Sequence, residues 1–346
     1  MPFNTFNSVA RLPNKTGGGI SVTANWVAVG EGSIIAKSSD GNIWSQAGNV
    51  GGISGAGYGV AYGKNGLGAG LWVAVGGGGL IAKSSDGNIW SPAGTKGGIT
   101  LGFGVAFGKD GLGQDLWVAV GQGPGGGVIA KSSDGNLWTQ AGNVGGLTIG
   151  INGVAYGKDG AGQGLWVAVG EGGISIAKST DGNLWTPSGS TRILSPGYGV
   201  AYGKDGAGQG LWVAVGDDGI IAKSSDGNTW TAAGNVGDLT LGQGVAYGKD
   251  GLGGNLWVAV GKGGLIVKST DGNNWTTTAS KGNITTTGRS VAYGKDGLGG
   301  NLWVAGGQGG LIAKSSDGNN WSTAGNVGGI TYRGYGVAFK EELFKP

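Results

Sequence analysis

The side chains able to do chemistry in this chain are few in kind and regular in place. The octet Lys-Ser-Ser-Asp-Gly-Asn-Ile-Trp at 37–44 returns with small changes at Lys83, Lys131, Lys178, Lys223, Lys268 and Lys314. It brings a carboxylate at Asp40, Asp86, Asp134, Asp181, Asp226, Asp271 and Asp317 beside hydroxyl and amide groups. Two readings follow. The Lys, Asp and Asn make seven identical polar sites, or each Asp accepts backbone N–H bonds at a tight turn while Gly takes its positive-φ position. The second needs no ligand and is the simpler, so these seven Asp are read as structural.

Catalytic and metal chemistry find little else to use. The chain has neither His nor Cys, which excludes Ser/His/Asp catalysis, His-ligated metals, disulfides and thiolate metal sites. Glycoside hydrolysis needs two carboxylates across one bond; Asp217–Asp218 is the only adjacent acidic pair before the C-terminal tail, and a solvated turn explains it. The loop Gly-Lys-Asp-Gly-Leu-Gly at 108–113, with its relatives at Asp159, Asp205, Asp250 and Asp296, offers one carboxylate per loop, whereas calcium takes several converging oxygens. No enzyme, cofactor or metal is expected.

The net charge is +3 and the Lys are spread evenly, so no nucleic-acid patch is expected. No run approaches the roughly 18 apolar residues of a membrane helix, and no membrane insertion is expected. The opening residues lack the pattern of a secretory signal. Localisation stays open, with an extracellular or particle-surface setting compatible, and so does oligomeric state.

The elements that position these residues follow from repetition. All fourteen Trp are repeat positions: seven open a version of Trp-Val-Ala-Val-Gly, at 26, 72, 117, 166, 212, 257 and 303, and seven end the octet. The 86 Gly bracket short apolar runs, as turns between strands do. In the unit 103–150, strands are expected over Gly104–Gly108, Trp117–Gly121, Val128–Ser132 and Asn136–Thr139. Four-stranded antiparallel sheets that cannot bury their faces alone stack and close into a ring. The expected fold is all-β: one seven-bladed β-propeller domain over 1–346. The first-strand motif occurs once too often, with Val at 9 and at 337 as well as in the interior repeats. The C-terminal Gly-Tyr-Gly-Val-Ala-Phe matches the interior copies better, so it is expected to complete the first blade and close the ring.

The run Ser-Ser-Asp-Gly-Asn-Ile-Trp at 38–44 resembles the Asp-box, or bacterial neuraminidase repeat, whose pattern is Ser-x-Asp-x-Gly-x-Thr-Trp. This chain has one residue fewer between Asp and Trp. The resemblance implies a propeller blade with the motif in the hairpin between its third and fourth strands. It does not choose a function, because such propellers include sialidases, assembly factors, receptors and binding modules. Sialidase chemistry would call for an arginine cluster, a Tyr nucleophile and acidic partners. Arg11, Arg192, Arg289 and Arg333 are the only arginines, and no fixed constellation accompanies them.

In an antiparallel blade the loops alternate between the two faces of the disc. The Lys-Asp-Gly loops and the octets share one face and hardly vary. The opposite face varies at the turn after Trp-Val-Ala-Val-Gly (Glu31, Gly77, Gln122, Glu171, Asp217, Lys262, Gln308) and two residues before each first-strand Val (Tyr58, Phe103, Asn152, Tyr198, Gln243, Arg289, Tyr335). These residues should gather at the mouth of the central channel; the seven before the first-strand Val, with Glu31, Gln122, Glu171 and Asp217, are the candidate ligand-binding positions. Variation on a fixed scaffold is where binding usually lives. The leading expectation is a non-enzymatic, lectin-like binding module with a glycan or protein ligand; the alternative is a structural or protein-interaction scaffold of a surface, virion or fibre.

Overall fold

A computed structural model describes residues 25–190 and 192–340. The N-terminal first-strand copy around Val9 lies outside them. The repeats fold into seven sheets, each with four antiparallel strands, arranged in a ring. The chain is a seven-bladed β-propeller. In blade 2 the innermost strand is Gly57–Lys64, followed outward by Gly70–Gly76, Ile81–Ser84 and Ser91–Pro92.

The second strand explains why the sheets must stack. Its Trp-Val-Ala-Val run is buried on both faces, and successive side chains point to opposite sides. In blade 2, Trp72 and Ala74 join the apolar cluster shared with blade 1, whereas Val73 and Val75 join the one shared with blade 3. Seven such clusters fill the seven junctions, and the last packs Leu302 and Val304 of blade 7 against Trp26 and Ala28 of blade 1. No Trp is more than 4% exposed.

Glycine has a specific task in the innermost strands. A Cβ at Gly63 would clash with Cγ of Phe107 in the next blade, and Gly108, Gly157, Gly203, Gly248 and Gly294 seat Tyr156, Tyr202, Tyr247, Tyr293 and Phe339 in the same way. Each seated ring also packs on the Trp of its own blade, as Tyr202 does on Trp212 at 4.9 Å between centroids.

Closure is by the C-terminal copy. Gly334–Phe339 pairs antiparallel with Trp26–Gly30 as the innermost strand of blade 1, setting Phe339 opposite Trp26. Two details depart from expectation. The outermost strand of blade 3 is Thr139–Gln140 rather than Asn136–Thr139, because Asp134 Oδ1 accepts the N–H groups of Asn136 and Leu137 and keeps them in the turn. In blade 6, Asn235–Val236 adds a short parallel pairing to Asn274–Trp275. Among the described residues, no helix is long and apolar enough to cross a membrane.

Candidate functional site

On one face the octet is committed to holding the disc together. Ser38 Oγ–H donates to Asp40 Oδ1, and Ser38 Oγ accepts from the N–H groups of Asp40 and Gly41. Asp40 Oδ1 also accepts from Asn42 and Ile43 N–H, and Trp44 Nε1–H closes the hairpin onto Gly41 O. The same pattern recurs in every blade, for example around Asp134 and Asp226. Burial works against ionisation of these Asp, but the hydrogen bonds outweigh it, and all seven carboxyls are held below the usual range. For Asp271 and Asp317, where the side-chain amides of Asn274 and Asn320 add a further donor, the value falls to about 2.

The Asn after the Gly stitches blades together. Asn88 Oδ1 accepts from Gly48 N–H of the preceding blade, and the equivalents run through Asn136, Asn183, Asn228, Asn273 and Asn319 to Asn42, which accepts from Gly325 across the closure. The inner Trp do likewise: Trp212 Nε1–H donates to Lys158 O of blade 4, and Trp26 Nε1–H to Lys295 O of blade 7.

The opposite face carries the variable residues. Its centre is a small cavity of about 160 Å³, lined by the Gly or Ser and Val of the seven innermost strands together with Tyr58, Gln243, Arg289 and Tyr335. Around its rim runs a chain of contacts. The Phe103 ring meets Tyr58 edge-on at 5.6 Å, and Tyr58 meets Tyr335 at 4.8 Å. The Arg289 guanidinium lies 5.6 Å over the Tyr335 ring. Arg289 Nη1–H then donates to Gln243 Oε1 at 3.0 Å. Arg289 Nε is buried and has no acceptor among the described residues. Arg333 approaches from the link into blade 1, donating to Tyr335 Oη at 3.2 Å and lying 3.8 Å from Glu31.

Other candidates have different surroundings. Asn152 Nδ2 donates to Gly197 O and so braces blade 4 against blade 5. Gln122 Nε2 donates to Ile149 O in the link to blade 4. Tyr198 lies on the far side of the mouth, where burial, then Asp217 and Glu171, push its hydroxyl pKa up. Burial, then Tyr335 and Glu31, do the same for Tyr58. The positive charge of Arg289 acts on both tyrosines, in the opposite sense.

The sequence treats Arg289 and Arg333 as isolated arginines, yet both converge on Tyr335. Arg289 stands two residues before Val291 and Arg333 four before Val337, so they occupy different repeat positions near the starts of consecutive innermost strands, and no shared motif signals their meeting. A groove of about 400 Å³ between blades 7 and 1, lined in part by Glu31, Gln308, Tyr332 and Arg333, continues outward from them.

No family model matches the chain, and no curated protein matches it. Solved structures do. YCF48 bound to D1 peptide is 13% identical with a TM-score of 0.53, over 93% of this chain and 98% of that one. Sqt1 from Chaetomium thermophilum is 12% identical with a TM-score of 0.54, over 82% and 74%. A structure described as a nidogen/laminin complex is 11% identical with a TM-score of 0.52, over 90% and 97%. The likeness is one of fold. The Asp-box resemblance rests on the motif residues alone.

Proposed function

We propose that this propeller is a non-enzymatic protein-interaction scaffold that takes an extended segment of a partner protein across the channel mouth. The observation that carries this reading is the contact chain Phe103–Tyr58–Tyr335–Arg289–Gln243, set on rigid strands and leading into the blade 7–blade 1 groove. Tyr and Arg are the side chains that most often dominate protein–protein affinity. Two of the similar folds support it: one was solved with a peptide and another in a protein complex.

The lectin-like reading has weaker support. Tyr58 lies at 57° to Tyr335 and nearly perpendicular to Phe103, so these rings pack against one another rather than offering open faces to a sugar. The test applies the full chain in parallel to an array of random 12-residue peptides and to a glycan array. Peptide binding, weakened about 30-fold by Tyr58→Ala if this ring is a hot spot of about 2 kcal/mol, is expected. Specific glycan binding beside a blank peptide array would overturn the proposal.

A further inference from the structure

The mouth is electrically two-sided. Blades 6, 7 and 1 contribute Lys262, Arg289 and Arg333 against the single carboxylate of Glu31. Blades 4 and 5 contribute Glu171, Asp217 and Asp218 against Arg192, whose Nε–H donates to Gly173 O in the blade 4 turn. Lys96, Asp238 and Lys281 sit in links beside the outermost strands and are left out of the count; of the groups named, three cations less one anion leave +2 on one arc and three anions less one cation leave −2 on the other. Blades 2 and 3 present Tyr58, Gly77, Phe103 and Gln122, which carry no charge. The pseudo-symmetric backbone cannot produce this division, since the same turn and strand positions recur in every blade. It resides entirely in the side chains placed on them.

The basic arc also has unused donors. A guanidinium carries five N–H donors in a fixed fork suited to a carboxylate. Arg289 engages Gln243 through Nη1, and its buried Nε–H meets no acceptor among the described residues. An unsatisfied buried donor is costly. Stacking over Tyr335 holds the fork in place at the rim of the central cavity.

Resting on the peptide-binding reading above, we infer that the mouth binds its segment in one direction. An acidic side chain lies on Arg289 and Arg333, aromatic or neutral residues cross the centre, and a basic side chain faces Glu171 and Asp217. Complementary charge fixes orientation and register more than it adds affinity. A uniformly basic or uniformly acidic segment meets one favourable arc and one repulsive arc.

The experiment uses the full chain and random 12-residue peptides, C-terminally amidated and N-terminally acetylated so that only side chains carry charge. Bound peptides are sequenced, and three synthetic representatives are measured by fluorescence anisotropy at two salt concentrations. Selected peptides are expected to carry Asp or Glu towards one end and Lys or Arg towards the other, in a constant order. Arg289→Gln should lower their affinity about tenfold, as loss of a charged hydrogen bond does, and remove selection for the acidic end. Glu171→Gln should weaken selection at the basic end alone. Unchanged melting temperatures show that both variants fold. Peptides bound without charge order, or charge order untouched in both variants, would overturn the orientation while leaving the peptide reading intact. If no peptide binds, both fail.

Discussion

Blade 7 contains an exchange that can be tested as a pair. Six blades set a glycine of the innermost strand opposite a valine of the second: Gly59–Val75, Gly104–Val120, Gly153–Val169, Gly199–Val215, Gly244–Val260 and Gly336–Val29. In blade 7 the pair is Ser290–Gly306. The side chain has moved across the ladder. A Cβ on Gly306 would lie 3.1 Å from Ser290 Oγ and 3.4 Å from Gly334 O, so the γ-methyls of Gly306→Val overfill the site. That substitution alone should destabilise by about 1–3 kcal/mol. Ser290→Gly alone should be nearly neutral. It removes a buried hydroxyl that has no partner among the described residues, worth about 1–3 kcal/mol in favour, but leaves a gap and adds the backbone entropy of glycine, about 1 kcal/mol against. Together they restore the arrangement of the other blades and bury a valine, worth about 1.5–3 kcal/mol. The double variant should therefore match or exceed the wild type, with a coupling of about 2–3 kcal/mol. Calorimetry on the four proteins measures it; for a chain of this size 1 kcal/mol moves Tm by about 1.5 °C. Additive changes, with the double variant no better than Gly306→Val, would refute the compensation.

Two other predictions concern the scaffold. Because the seven octet carboxyls have folded pKa values below the ordinary 3.8 of an Asp, their contribution is present above about pH 4 and is lost as pH falls towards 2, where Asp271 and Asp317 titrate. Unfolding near pH 3 should take up several protons, each changing stability by about 1.4 kcal/mol per pH unit. Solvent screening makes seven an upper limit. Asp271→Asn should shallow the slope of Tm against pH, and an unchanged slope would count against the clasp. Removing residues 332–346 takes away the strand paired to Trp26–Gly30 and leaves an unpaired edge. Size-exclusion chromatography should show self-association and calorimetry a broadened transition; a cooperative monomer would contradict closure by this strand.

The blade count, the closing strand and the contents of the two faces could be read from the sequence because each follows from a local period. Trp-Val-Ala-Val-Gly reveals its sheet through its own alternation, and the surplus Gly-Tyr-Gly-Val-Ala-Phe reveals closure by count. What escaped reading depends on contacts between repeats. The link residues Asn49, Thr95, Asn143, Ser190 and Ser280 accept the backbone N–H of Trp90, Trp138, Trp185, Trp230 and Trp321 in the following blade. Asn49 and Asn143 share the run Ala-Gly-Asn-Val-Gly-Gly, but Thr95, Ser190 and Ser280 do not, so no single motif marks the set, yet each offers one oxygen at the same place. The meeting of Arg289 with Arg333 at Tyr335 was hidden for another reason: it joins side chains from two differently aligned repeat positions on consecutive innermost strands.

The clasp between the two ends of the chain also has a kinetic meaning. The second strand of blade 1 is the first of the described strands to leave the ribosome, whereas its inner neighbour is the last of them. At ordinary translation rates the roughly 300 residues between Trp26 and Gly334 take on the order of 15–60 s to synthesise. Throughout that interval Trp26–Gly30 lacks the inner partner strand that the structure gives it. A product that stops before Gly334 would thus leave Trp26–Gly30 without that partner, a margin open to pairing with another chain.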